Sequence, residues 1–334
     1  MKLLTASCDN TAKVWDIARG MCLRTLWHGN HVGTVEFSED GALALTASDD
    51  STAKLWDIRG GHCKATFRHA AAVYSAKFSP DRKSVLTCSD DMTAKLWSND
   101  GEHLSTLQHR DCVDFAQFAG RRHVVTTENS GPTVKVWSVE TGQCIREISP
   151  TGHQANSIDL SEDGTSVLIT TDDRSAAATT LWSLQTGECL KGFGVFGTFP
   201  CFVHQGVFSP DGLSVLTAPG NNAMLWSIET GACFQTFEHN ASVQHVAFHP
   251  QGRLALTASN GIARLWSISS RKCIRTFKHS DPVRAAICSA NGDFVVTASG
   301  NLAKLWSAGH EKCLRTFSGH RRPVHAACLF PERP

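Results

Sequence analysis

The sequence predicts an all-β chain of eight four-stranded antiparallel blades closed into a ring. Three observations lead there. Tryptophan recurs at Trp15, Trp56, Trp97, Trp137, Trp182, Trp226, Trp266 and Trp306, at spacings of 41, 41, 40, 45, 44, 40 and 40 residues. Only Trp27 falls outside that register. Each recurrence closes a strand–turn–strand stretch, and long helical periodicity is missing throughout. A period of about 40–45 residues built from short strands marks propeller blades, which bury their faces by stacking on one another.

One unit shows the elements in order. Leu43 to Ser48 is small, apolar and Thr-bearing, as a packed strand requires. Asp49-Asp50-Ser51 follows, with short acceptor side chains that bond their own backbone in a turn. Thr52 to Ile58 alternates and carries the aromatic. In the next unit the preceding strand runs from Ala71 to Phe78 and is punctuated by Ser79-Pro80-Asp81. The fourth strand reads Gly-x-Cys-x-x-Thr-Phe, as in Gly231 to Phe237.

The two ends predict how the ring closes. Residues 1–27 supply three strands, Leu3–Ser7, Thr11–Ile17 and Cys22–Leu26, and lack the innermost one. Val324 to Leu329 supplies it, so blade 1 is expected from residues 1–27 plus 318–334, within one propeller spanning 1–334. That arrangement leaves no blade with a missing strand and no open inner edge. Met1 to Cys8 superficially suggests a lipoprotein signal, but no apolar core precedes the cysteine. Leu-Thr-Ala-Ser also returns at Leu45–Ser48 and Leu256–Ser259, so the start is already a repeat.

Composition narrows the function classes. The 334 residues are 41% hydrophobic and 19% charged, with a net charge of +1, which gives no electrostatic footprint for nucleic acid. No apolar run reaches the ~18 residues a membrane helix needs. Of 13 cysteines, seven (Cys22, Cys63, Cys144, Cys189, Cys233, Cys273 and Cys313) lie seven residues after a repeat tryptophan. A slot fixed by repeat register reads as a small, buried, reduced cysteine rather than a disulfide framework, and no Cys-x-x-Cys spacing suggests a metal. A cytoplasmic or other reducing compartment is the expectation, with no cofactor.

Trp15-Asp16, Trp56-Asp57, Gly319-His320 and the period resemble the WD-repeat β-propeller family over essentially the whole chain, although Ser replaces Asp after most of the tryptophans. That resemblance implies a buried tetrad in each blade: a His before the first strand, a Ser on the second, an Asp in the turn, and the Trp. The matching residues are His320, Ser7, Asp9 and Trp15; His28, Ser48, Asp50 and Trp56; and His69, Ser89, Asp91 and Trp97. A Ser–His–Asp set invites a hydrolase reading. Threefold repetition around a ring favours packing, in which each buried polar group finds a partner. The units of His109, His239 and His279 keep the histidine but lose the Asp slot, at Gly131, Asn260-Gly261 and Gly300-Asn301. Blades 4–8 are therefore expected to rest mainly on apolar packing.

The largest irregularity is Phe193 to His204. The gap from Phe193 to Phe208 is 15 residues, against 11 from Phe67 to Phe78. Phe202 fills an ordinary repeat slot, whereas Phe196 and Phe199 are extra. They either pack against the neighbouring blade or anchor a partner, since exposed apolar patches mark interaction sites. The resemblance implies partner docking on the face of the inter-blade loops, around the central channel. Tyr74, Phe196, Phe199, Phe202, His204 and Arg284 are the candidate partner-binding residues there. Leu45, Asp50, Leu55, Trp56, Asp57 and Arg59 also resemble the box by which some family members bind the adaptor of cullin-type ubiquitin ligases, although a well-formed blade wants the same residues. The expected function is a non-catalytic protein–protein interaction scaffold, a subunit of a larger complex. The alternative is a substrate receptor of a ubiquitin ligase, acting through Trp56-Asp57-Ile58-Arg59.

Overall fold

A computed structural model describes residues 1–172, 178–194, 203–310 and 312–330. The described residues form 32 strands in eight four-stranded antiparallel sheets. Blade 1 runs from the outermost strand Met21–Trp27 through Thr11–Asp16 and Lys2–Ser7 to the innermost strand, Val324–Phe330. The register of the closing pair runs from Lys2 opposite Phe330 to Ser7 opposite Val324. The two ends of the chain thus share one sheet, and the expected closure is present. Blades 2 to 8 follow in chain order, each beginning at its innermost strand.

The core lies between blades rather than within them. Leu4, Ala6, Val14 and Leu26 of blade 1 pack with Val32, Phe37, Ala44, Trp56 and Ile58 of blade 2. The repeated Thr-Phe slot has a direct purpose there. Phe67, Phe237, Phe277 and Phe317 are fully buried, and each meets the tryptophan of the following blade with ring centroids 5.1–5.7 Å apart. Closure also fixes a glycine. A Cβ on Gly41, whose φ is +64°, would come within 2.6 Å of the Phe330 ring.

Cations at the outer rim tie neighbouring blades together. Arg24 donates to the Arg59 carbonyl at 2.9 Å, Arg146 to that of Thr186 at 2.7 Å and Lys191 to that of Glu229 at 3.1 Å. Arg275 reaches the Gly309 carbonyl in the same way, and Arg315 reaches Ala18 at 3.3 Å, across the joint where the chain closes. Each caps a turn carbonyl of the next blade, so rigidity is distributed around the rim.

The cysteine slot differs from the sequence expectation. Cys22, Cys63, Cys144, Cys189 and Cys273 are exposed, and Cys233 and Cys313 are half-buried. Each pairs opposite a repeat tryptophan from the outermost strand, whose far edge has no partner strand, as in Trp15 opposite Cys22. The register is that of the blade, but the position faces the rim. All 12 described cysteines are free thiols.

Candidate functional site

In blades 1–3 a buried polar network links the strands to the crossover from the preceding blade. In blade 2, His28 Nδ1 lies 2.9 Å from Asp50 Oδ2, His28 Nε2 lies 2.7 Å from Thr46 Oγ1, and Trp56 Nε1 donates to Thr46 Oγ1 at 2.9 Å. The same distances recur within 0.1 Å in blade 1 with His320, Asp9, Thr5 and Trp15, and in blade 3 with His69, Asp91, Thr87 and Trp97.

The hydroxyl member is therefore threonine, which corrects the assignment of Ser7, Ser48 and Ser89. Residues two apart on a strand share a face, so Thr46 and Ser48 both point into the blade joint, but only Thr46 sits level with the indole. Ser48, at the strand end, donates to the Asn30 carbonyl at 3.1 Å and accepts the Asp50 amide. Ser7 and Ser89 do the same with Arg322 and Ala71. Each of these serines holds the crossover in place and makes no hydrogen bond to the histidine. The Ser–His link that a hydrolase needs is absent from all three networks.

Burial drives His28 and His69 down to about 4, against the pull of Asp50 and Asp91, so both imidazoles are neutral at pH 7. For Asp91, burial works upward, but the Thr93 hydroxyl, the Ala70 amide and His69 outweigh it and hold the carboxyl down at about 2. An ionised carboxylate only accepts, so Nδ1 carries the proton and Nε2 accepts from threonine. Threonine in turn accepts from tryptophan, so the histidine, threonine and tryptophan of these three networks are matched to one another.

Blades 4, 7 and 8 correct a second expectation. Glu128 stands in the slot of Ser7, Ser48 and Ser89, and its longer side chain reaches His109 Nδ1 at 3.0 Å and Lys135 Nζ at 2.5 Å. Sequence reasoning sought the acid in the turn and missed it. The signal available was a carboxylate in a serine slot. Blades 7 and 8 keep the His–Thr–Trp linkage without an acid. His239 lies 2.8 Å from Thr257 and His279 lies 2.9 Å from Thr297, and Trp266 and Trp306 donate to the same hydroxyls. These joints are polar as well as apolar.

The mouth of the channel carries a different kind of residue. Tyr74, His204 and Arg284 each take the second position of an innermost strand: Val73–Phe78, Val203–Phe208 and Val283–Cys288. Tyr74 is 36% exposed and donates to Asp90 Oδ1 at 3.1 Å. Burial of the hydroxyl and that carboxylate push its phenol up to about 12. His204 Nε2 lies 3.0 Å from Ser242 Oγ. Arg284 is exposed and approaches His325 Nδ1 at 3.4 Å, while His325 Nε2 lies 2.5 Å from Cys8 Sγ. The three candidates stand on blades 3, 6 and 8, spread around the mouth rather than gathered in one cluster. Phe196, Phe199 and Phe202 lie outside the described residues. In the proposed adaptor box, Leu45, Leu55 and Trp56 are buried. Asp57 accepts the amides of Arg59 and Gly60, and Arg59 is exposed.

The family model described as WD domain, G-beta repeat, matches residues 20–57, 61–98, 231–267 and 271–307. With eight four-stranded blades already in place, that match decides the family. The chain is a WD-repeat propeller. The stretch between the matches, residues 99–230, holds further departures: Glu128 in the serine slot, Ile169 in the threonine slot and Pro219 in the serine slot. Among solved structures, the propeller resembles the crystal structure of the computationally designed Ika8 protein, with a TM-score of 0.79. The match covers 92% of this chain and 93% of that one at 23% identity, which is a likeness of fold. No curated protein sequence matches. WD40 propellers are typically protein-interaction scaffolds and generally non-catalytic.

Proposed function

We infer that this WD-repeat propeller is a non-catalytic scaffold within a larger complex, binding a protein partner on the crossover face around its channel. The observation that carries this reading is the contrast between the two polar systems. The His–Thr–Trp networks are buried and internally matched, so they spend their chemistry on holding the ring. Tyr74 and Arg284 stand exposed at the channel mouth on the rigid innermost strands. A face fixed before binding loses little conformational freedom on association, and tyrosine and arginine are the side chains that most often dominate interfaces.

The test is quantitative affinity purification of the intact chain beside a Tyr74→Ser/Arg284→Glu variant, with melting measured for both. Loss of a partner by tenfold or more at unchanged melting supports the reading. An identical partner set refutes it for this face.

A further inference from the structure

On the face opposite the crossovers, the turns between first and second strands meet at each blade joint. The joints are closed by different devices. Between blades 1 and 2, Lys2 Nζ donates to the Gly41 carbonyl at 3.4 Å. Between blades 7 and 8, His249 Nε2 lies 3.0 Å from the Gly292 carbonyl. Between blades 2 and 3, Glu39 of the first turn is ion-paired with Arg82 of the second.

Between blades 5 and 6, Lys191 reaches the Glu229 carbonyl and the Phe208 amide reaches Asp159, but among the described residues no side-chain link joins the two first turns. A cleft of about 490 Å³ lies there, walled by Leu181, Phe208 and Ile228 and edged by Glu162, Asp163 and Asp211, with no lysine or arginine in its lining. Asp163 and Asp211 accept hydrogen bonds from their own turns, which hold both carboxyls below the usual range, so both are charged at neutral pH. Repeat register explains the cleft. Ser161-Glu162-Asp163 matches Ser38-Glu39-Asp40, so Glu162 stands in the slot of Glu39. Ser209-Pro210-Asp211-Gly212 matches Ser79-Pro80-Asp81-Arg82, so Gly212 stands in the slot of Arg82. The acid of the pair is kept and the cation is missing. A Cβ on Gly212 would meet nothing within 4 Å, and its φ of +68° is close to the +62° that Arg82 itself adopts.

We propose that this cleft docks an arginine side chain from a partner protein, which supplies in trans the cation that Arg82 supplies in cis at the joint between blades 2 and 3. The aliphatic stem of arginine suits the apolar walls. Its guanidinium suits carboxylates that no lysine or arginine of the cleft lining neutralises. The site lies on the opposite face from the proposed channel-mouth surface and stands independently of it.

The probe is a fluorescein-labelled pentapeptide, Gly-Leu-Arg-Leu-Gly, capped at its carboxyl end and titrated by anisotropy against the full chain, with a twin carrying glutamate in place of arginine. Saturable binding of the arginine peptide and none of its twin is expected. Gly212→Arg fills the cleft from within and should weaken binding at least tenfold. Glu162→Arg should do the same, and Glu162→Gln should weaken it about threefold. Glu140→Arg and Glu140→Gln change net charge equally at a distant exposed turn and should leave affinity within twofold. Absence of saturable binding overturns the proposal, as does equal weakening at Glu140. Binding that survives Gly212→Arg in a chain with unchanged circular dichroism also overturns it.

Discussion

Replacing Thr46 with valine keeps the shape of the side chain and removes one oxygen from the joint between blades 1 and 2. That oxygen is wholly buried. It accepts the Trp56 indole N–H at 2.9 Å and lies 2.7 Å from His28 Nε2. Both partners are left without a match in a site that water does not reach. An unmatched buried polar atom costs about 1–3 kcal/mol, so the two together put Thr46→Val at about 2–6 kcal/mol. Ser48→Ala removes one bond to the Asn30 carbonyl and one from the Asp50 amide at the edge of the crossover. Nearby solvent offsets much of that loss, and about 1 kcal/mol is expected. Thr46→Ser, which keeps the oxygen, should fall between the two. Urea unfolding of the three variants at pH 7 gives the ranking directly. If Ser48→Ala costs as much as Thr46→Val, serine is the working hydroxyl and the network is wrongly drawn.

Further outcomes follow from the same geometry. His28, His69, His109, His239 and His279 are lowered to about 4 by burial, while unfolded histidine titrates near 6.5. The unfolded chain therefore binds more protons between those values, and stability should fall as pH drops from 6.5 towards 4, by roughly 1–2 kcal/mol per histidine between pH 7 and pH 5. Asp159, raised to about 6 by burial, contributes in the opposite sense, with stability that is lost as pH rises through 6. Glu36 and Asp114, also raised by burial, act in the same sense as Asp159, but three carboxyls against five imidazoles leave the acid side weaker, and a urea midpoint that does not fall at pH 5 would contradict this. Glu128→Ser restores the residue that blades 1–3 carry but leaves Lys135, whose side chain is 9% exposed, with only the exposed Glu147 carboxylate, 4.0 Å away. It should cost about 3 kcal/mol by denaturation, and a neutral effect would remove Glu128 from the network. Phe196→Ser/Phe199→Ser should abolish a partner without shifting the melting temperature if that crossover belongs to the interface; lowered melting with the same partners would make it packing.

The fold was legible in the sequence because a propeller repeats its physical problem. Every blade needs a large ring at the Trp slot and a large apolar side chain for the next blade's tryptophan, Phe in five blades and Leu26, Leu107 and Ile148 in the others, so spacing alone counted the blades. Val324 to Leu329 was recognisable as the missing strand because residues 1–27 held only three. The networks were less legible. Thr46 and Ser48 are both small hydroxyl residues on one strand face, and only the height of the indole separates them. Glu128 escaped because a longer side chain can answer the histidine from a different slot. The cysteines were misjudged because register fixes the strand position of Cys22, not the absence of a strand beyond it. The cleft at Gly212 became visible only when its partner turn was known to be the one carrying Glu162.

The scaffold reading depends on a ring held shut by its own ends. Deleting residues 324–334 tests this most directly. The cut removes the innermost strand of blade 1 and the Phe330 ring over Gly41, and it exposes the edge of Lys2–Ser7. The expected result is a melting temperature lowered by more than about 10 °C, with amide protection lost across blades 1, 2 and 8. Unchanged melting with protection intact in Lys2–Ser7 would contradict the closed ring.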